Sequence, residues 1–197
     1  MTYHVYMAVE PHWLLLTYKV PTEPARRRMA LWRRLKGLGA VYLQNGVCVL
    51  PSTAQHVRQL KIIDNEIRDM GGEAVLLEAA PLDPGQVERV IARFRADRDE
   101  AYREVIERCE GFEGEIARET AAGKLTYAEL EENEEDLKKL KAWHAKVAAL
   151  DFYAAPLGPE AREALVRCEA LLDVFSQQVF EAQQENKFGP EAAGEVA

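Results

Sequence analysis

The chain of 197 residues reads as an α+β protein in two parts, a βαββαβ sandwich over residues 1–82 followed by a helical region over 83–197. Three observations carry that reading. Up to residue 80, short β-prone runs are separated by turn residues and by two segments of helical period. Beyond the Pro- and Gly-containing stretch 81–85, apolar residues keep a three-to-four spacing with no strand-like run. Charge divides at the same place, with ten Lys/Arg against seven Asp/Glu up to residue 80 and fifteen against twenty-six after it. A mildly basic half and a strongly acidic half within a net charge of −8 suggest modules with different partners, the basic one being the candidate for an anionic ligand.

Residues 1–11 are short and irregular, with His4 and His12 isolated. The first strand runs from Trp13 to Val20, a short apolar and aromatic run bounded by Pro21, with Lys19 as its only charge. A helix follows from about Pro24 to Leu38, since a proline at the start loses no intrahelical bond and Gly37 and Gly39 end it. At 100° per residue, Ala25, Met29, Leu31, Trp32, Leu35 and Leu38 occupy one half of the wheel. Arg26, Arg27, Arg33 and Arg34 occupy the other with only Ala30 and Gly37 between them, and Arg28 and Lys36 lie at the margins. Two short strands between Ala40 and Leu50 turn at Asn45-Gly46, a dipeptide suited to two positive φ angles. Ser52 and Gln55 are spaced as a capping box for a helix that faces Val57, Leu60, Ile63, Ile67 and Met70 inward and stops at Gly71-Gly72. Glu73 to Ala80 supplies the last strand. The order predicts a ferredoxin-like fold, a four-stranded antiparallel sheet with two helices on one face.

In the second part, Val87, Val90, Ile91, Phe94, Tyr102, Val105, Cys109, Phe112 and Ile116 predict one helix of about thirty-five residues ending near Gly123. The next has Thr126 as N-cap, Glu129 at its third position and a Leu125–Leu130 staple, and it points Leu130, Leu137, Leu140, His144 and Val147 inward. After Pro156-Leu-Gly-Pro159 a third helix presents Leu165, Cys168, Leu172, Phe175 and Val179, then frays from about Glu185. Three long helices on short links predict an antiparallel bundle or arm.

Composition narrows the chemistry. No apolar run is long enough for a membrane helix, and no basic segment followed by an apolar signal core opens the chain, so the expected compartment is the cytoplasm with no membrane partner. Cys48, Cys109 and Cys168 are odd in number, far apart and without a CxxC, which suits buried thiols rather than disulfides or zinc ligands. A nucleophile elbow, P-loop, HExxH and dinucleotide fingerprint are all missing, so the expectation is no catalytic residue, no metal, no cofactor and no enzymatic activity. Two readings of the arginine face stay open. It is an anion-binding surface, or it is a solvated or internally paired one, with the acids at 129–136 as a possible counter-surface.

The blocks WLLLTYKVPTEPARRRMALWRRLKGLGAVYLQNGVCVLP, GGEAVLLEA and LTYAELEENEEDLKKLKAWHAKVAALDFY resemble the N-terminal region of the ChrB family of chromate-resistance regulators. That resemblance implies a DNA-binding or regulatory role; the leading expectation is a transcriptional regulator that contacts the promoter DNA of a chromate-resistance operon as a homodimer. Many members of that family carry a further C-terminal domain after this region. The first eighty residues are also similar, more distantly, to the middle domain of the phenylacetate-catabolism repressors and to small CRISPR-associated ferredoxin-like nucleases. In those nucleases an aspartate near the end of the first strand holds the metal; here the segment reads Tyr18-Lys19-Val20, and a cation there argues against nuclease activity. The residues expected to meet nucleic acid or an anion are therefore Arg26, Arg27, Arg28, Arg33, Arg34, Lys36 and Lys19. A chromate or sulfate ion at the N-terminal end of the Arg-rich helix is the alternative ligand. A protein-interaction module without DNA binding, whose long helices mediate oligomerisation or dock a partner domain, is the other alternative function.

Overall fold

Along β1 (Trp13–Lys19) the side chains of Leu14 and Leu16 turn to one face of the sheet and those of Trp13 and Leu15 to the other. All four are apolar, so this strand needs cover on both sides. It receives that cover at the centre of a four-stranded sheet. The computed structural model describes residues 12–187; His4, the segment 1–11 and the tail beyond Lys187 lie outside them.

Two antiparallel partners flank β1. On one side β3 (Val47–Pro51) pairs Leu16 with Cys48, and on the other β4 (Glu73–Ala79) pairs Leu16 with Leu76. With β2 (Val41–Gln44) beyond β3, the order is β2-β3-β1-β4, the ferredoxin-like arrangement expected from the element order. Helices α1 (Ala25–Gly37) and α2 (Ala54–Asp69) cover the face bearing Leu14, Leu16, Cys48 and Leu50. Their contribution is Leu31 and Leu35 from α1 and Leu60, Ile63 and Ile67 from α2. Each fully buried aliphatic side chain here contributes roughly 2 kcal/mol to stability.

The second face has a cover that local patterning did not foresee. Trp13, Val41 and Val49 pack against Phe94, with Val87, Val90, Ile91, Phe152 and Tyr153 around them. Phe94 belongs to α3 (Pro84–Ala121), and Phe152 and Tyr153 to a turn beyond the next helix. Arg93 closes the edge of the sheet, its Nη1 donating to the carbonyls of Tyr42 and Leu43 at 3.1 and 3.3 Å. The compact unit that holds the sheet accordingly extends to Asp97 and includes Leu150–Tyr153. Residues 81–83 lead into α3, whose first turns still serve the sheet.

Two local expectations change. Thr53, not Ser52, is the N-cap of α2, its Oγ1 accepting from the backbone N–H of His56 at 3.1 Å, while Ser52 Oγ reaches across to Glu78 at 2.7 Å. At the Asn45-Gly46 turn only Gly46 has positive φ, at 71°. The ladder shifts register between Tyr42 and Gln44, so the hairpin closes with an irregularity rather than with a two-residue mirror-image turn. The Gly46 carbonyl accepts from the N–H of Tyr18 at 2.7 Å, anchoring the turn to the end of β1.

The other unit runs over 98–149 and from Ala154 onward. The remainder of α3, α4 (Tyr127–Ala148) and α5 (Gly158–Lys187) share one apolar core in which Val105, Cys109, Cys168, Phe175 and Val179 are fully enclosed. Thr126 caps α4 as expected, accepting from Glu129 N–H at 3.3 Å. Asn133 is a buried polar residue that the apolar pattern does not reveal. Its amide donates to Glu119 Oε2 at 2.6 Å and to the Glu129 carbonyl at 2.9 Å, so burial costs it little. Among the described residues no helix is long and apolar enough to cross a membrane.

Candidate nucleic-acid interface

The Arg-rich helix begins where Pro24 adopts an extended conformation, its carbonyl accepting from Arg27 N–H at 3.0 Å. It ends where Gly39 takes φ 83° after the Leu38 cap. Only Leu31 and Leu35 of this helix are buried, and the segment from Pro21 to Ala30 is exposed throughout. The helix is thus held by its C-terminal half and presents its N-terminal half to solvent. Met29 and Trp32, expected to face the core, are 46% and 42% exposed, because the helix meets the core through Leu31 and Leu35, with Leu38 of its cap packed beside them.

The basic residues fall into different situations. Arg26, Arg27 and Arg28 are exposed, and no salt bridge engages them among the described residues. Arg33 turns its Nε toward the Met29 carbonyl of its own helix at 3.4 Å. Arg34 is bound by Glu66 of α2, and Lys36 by Asp97 of α3. Lys19 is exposed at the end of β1, opposite Glu73 in the ladder but without a salt bridge to it. The arginine surface, continuous on the helical wheel, is therefore divided, and its acidic partners come from the sheet unit itself. Of the acidic run 129–136, Glu129 pairs with Lys124 while Glu135 and Asp136 pair with Lys139. At the N-terminal end of α1, where an oxyanion was expected as the alternative, the Glu23 carboxylate accepts the Ala25 N–H at 3.3 Å.

Two grooves flank α1. The one toward α2, of about 450 Å³, is lined by Arg27 and Arg34 but also by Glu66 and Asp69. On the other side, the end of β1 and the β2–β3 turn enclose about 740 Å³ lined by Lys19, Arg28, Trp32, Lys36, Tyr42 and Asn45, with no acid in its wall. Three of the expected basic residues thus come together with aromatic and amide side chains that sequence reasoning did not include. The signal was present, since Trp32 stands four residues after Arg28 and four before Lys36, but the wheel assigned it to the core. Tyr18 and Tyr42 share a hydroxyl–hydroxyl hydrogen bond of 2.7 Å, and burial pushes both phenols up, so they remain neutral.

The remaining reactive groups are enclosed. Cys48 is wholly buried, and burial pushes its thiol up to about 12. Cys109 and Cys168, fifty-nine positions apart in sequence, meet across α3 and α5, where Cys168 Sγ lies 3.6 Å from the Cys109 carbonyl. Burial raises both thiols, that of Cys168 to about 12. His144 packs beside Tyr102 with its pKa lowered, first by burial and then by Arg162.

Comparison with known proteins places this architecture. Protein ChrB of Cupriavidus metallidurans is 32% identical over 95 residues, which are 48% of this chain and 29% of that relative, so the chain spans less than a third of the relative's length. The family described as "Protein ChrB, N-terminal" matches residues 28–186, from within α1 almost to the end of α5. The match covers most of the sheet unit and the helical unit alike, and the chain belongs to the ChrB N-terminal family.

Proposed function

We propose that the chain is a non-enzymatic regulatory protein of chromate resistance, acting in the cytoplasm as a homodimer, that contacts the phosphates of promoter DNA through α1. One observation carries the reading. Arg26, Arg27 and Arg28 stand on the exposed half of a helix anchored by Leu31 and Leu35, with no salt bridge among the described residues to neutralise them. Such a cluster meets phosphate without first breaking internal ion pairs. Of the acids near this cluster, Glu66 is paired with Arg34 and Glu23 accepts the Ala25 N–H, while Asp69 lines the groove beside Arg27.

A gel-shift series on the promoter of a chromate-resistance operon tests the reading. Wild-type protein is expected to bind at low salt. Arg26→Ala with Arg27→Ala is expected to weaken binding on every sequence and to reduce the dependence of log affinity on log salt by about two units. Absence of a shift at low salt, or a double variant that binds as wild type does, would sink it. Analytical ultracentrifugation of the same preparations tests the homodimer.

A further inference from the structure

Trp32 projects from α1 at 42% exposure, belongs to neither apolar cluster of its unit and lines the groove beside the β2–β3 turn. It sits midway between Arg28 and Lys36, which lie about 12 Å apart along the helix axis at 1.5 Å per residue. Lining the same groove are Lys19 at the end of β1 and Asn45 of the β2–β3 turn. Lys36 is committed to Asp97, so the open charges are Lys19 and Arg28. A flat aromatic surface between cations, with an amide that can both donate and accept, is the chemistry that recognises a nucleobase carrying phosphate. The groove has a volume of about 740 Å³ and is open to solvent. A paired base cannot offer its face to Trp32, because both faces are already stacked within the duplex.

We infer that the groove between α1 and the β2–β3 turn takes an unpaired nucleotide of a nucleic-acid strand, its base stacked on Trp32 and its phosphates held by Lys19 and Arg28. The inference rests on the proposed phosphate contact of α1 and names the form of strand that this side of the helix receives. The turn is held in place for it by the Gly46 carbonyl, which accepts the Tyr18 N–H, and by the Tyr18–Tyr42 hydroxyl pair beneath.

Anisotropy titrations of the full chain with a labelled thymidylate decamer, thymidine monophosphate and duplex promoter DNA test it, with tryptophan emission followed in parallel. The decamer is expected to bind at low salt and to quench emission. W32A is expected to weaken that binding about tenfold, W32F to keep most of it, and R28A to lower the salt slope by roughly 0.7. Because Trp32 lies outside the apolar clusters, W32A is expected to melt as wild type does. A decamer that fails to bind, or that binds W32A as well as wild type, overturns the inference. Thymidine monophosphate binding as tightly as the decamer also overturns it, since the groove would then hold a free nucleotide. Duplex binding without decamer binding leaves the promoter reading standing and removes only this inference. Decamer binding that depends on Trp32, without any duplex binding, does the reverse.

Discussion

The indole N–H of Trp13 donates to the hydroxyl of Tyr153 at 2.8 Å, joining the first residue of β1 to a turn 140 positions later. Around this bond Phe152 meets Phe94 and His56 edge-on, with ring centroids 6.2 and 5.4 Å apart. Arg95 Nε adds a hydrogen bond of 2.9 Å to the Tyr153 carbonyl. The second face of the sheet is thus closed by residues that stand at the far end of α4 in sequence.

Tyr153→Phe is expected to cost about 1–2 kcal/mol in urea unfolding monitored by sheet signals, because it leaves the buried Trp13 N–H without its acceptor. A double-mutant cycle with Trp13→Phe should return a coupling of about 1 kcal/mol. Independent, additive effects would show that the bond does not secure the turn to the sheet.

Gly46→Ala is expected to destabilise the sheet unit by about 2 kcal/mol or more, because two penalties coincide. Gly46 has φ 71°, and a Cβ there would lie 2.4 Å from the Tyr18 carbonyl oxygen. Gly37→Ala is the control, since nothing lies within 4 Å of its added methyl and the residue is helical. Thermal melts should separate the two clearly, and equal midpoints would refute the account of the turn.

The buried thiols predict loss of stability at high pH. Cys48 and Cys168 have an ordinary value of 9.0 and are held near 12 in the fold. Below pH 9 both states keep these protons. Between about pH 9 and 12 the unfolded chain ionises its thiols while the folded chain does not, so unfolding releases protons and stability falls as pH rises. The tyrosines Tyr18, Tyr42 and Tyr153, also raised by burial, act in the same direction at the upper end of that window. Cys48→Ala should flatten the fall in denaturant midpoints measured from pH 8 to 11. At pH 8 the native thiols should not react with a chromogenic disulfide; prompt reaction of Cys48 without unfolding would contradict its burial.

Much of the fold was legible because its signals are local. Gly71, with φ 76°, ends α2 where the apolar period stops, and Thr126 caps α4 through its own third residue, so each can be read within a few positions. The near misses were local too. Ser52 and Thr53 are both competent caps, and the choice went to Thr53 while Ser52 Oγ bonded to Glu78. Asn45-Gly46 was a turn, but the register shift in β2 removed the need for a second positive φ. The candidate site was less legible. A helical wheel ranks positions by direction alone, so it placed Trp32 and Met29 with the leucines although only Leu31 and Leu35 of the helix are buried.

By itself the sequence determined the kinds and order of elements, the ferredoxin-like sheet, the helical second half and a helix crowded with arginine. These follow from periodicity, caps and turns, whose energies act between residues a few positions apart. Only the tertiary structure decided that Glu66 binds Arg34 and Asp97 binds Lys36, leaving Arg26, Arg27 and Arg28 in the open. It also decided that Lys19, Trp32 and Asn45 line one groove. Ion pairing and groove shape depend on which surfaces meet in space, and partners such as Lys36 and Asp97, sixty-one positions apart, have no common local pattern from which to read the meeting.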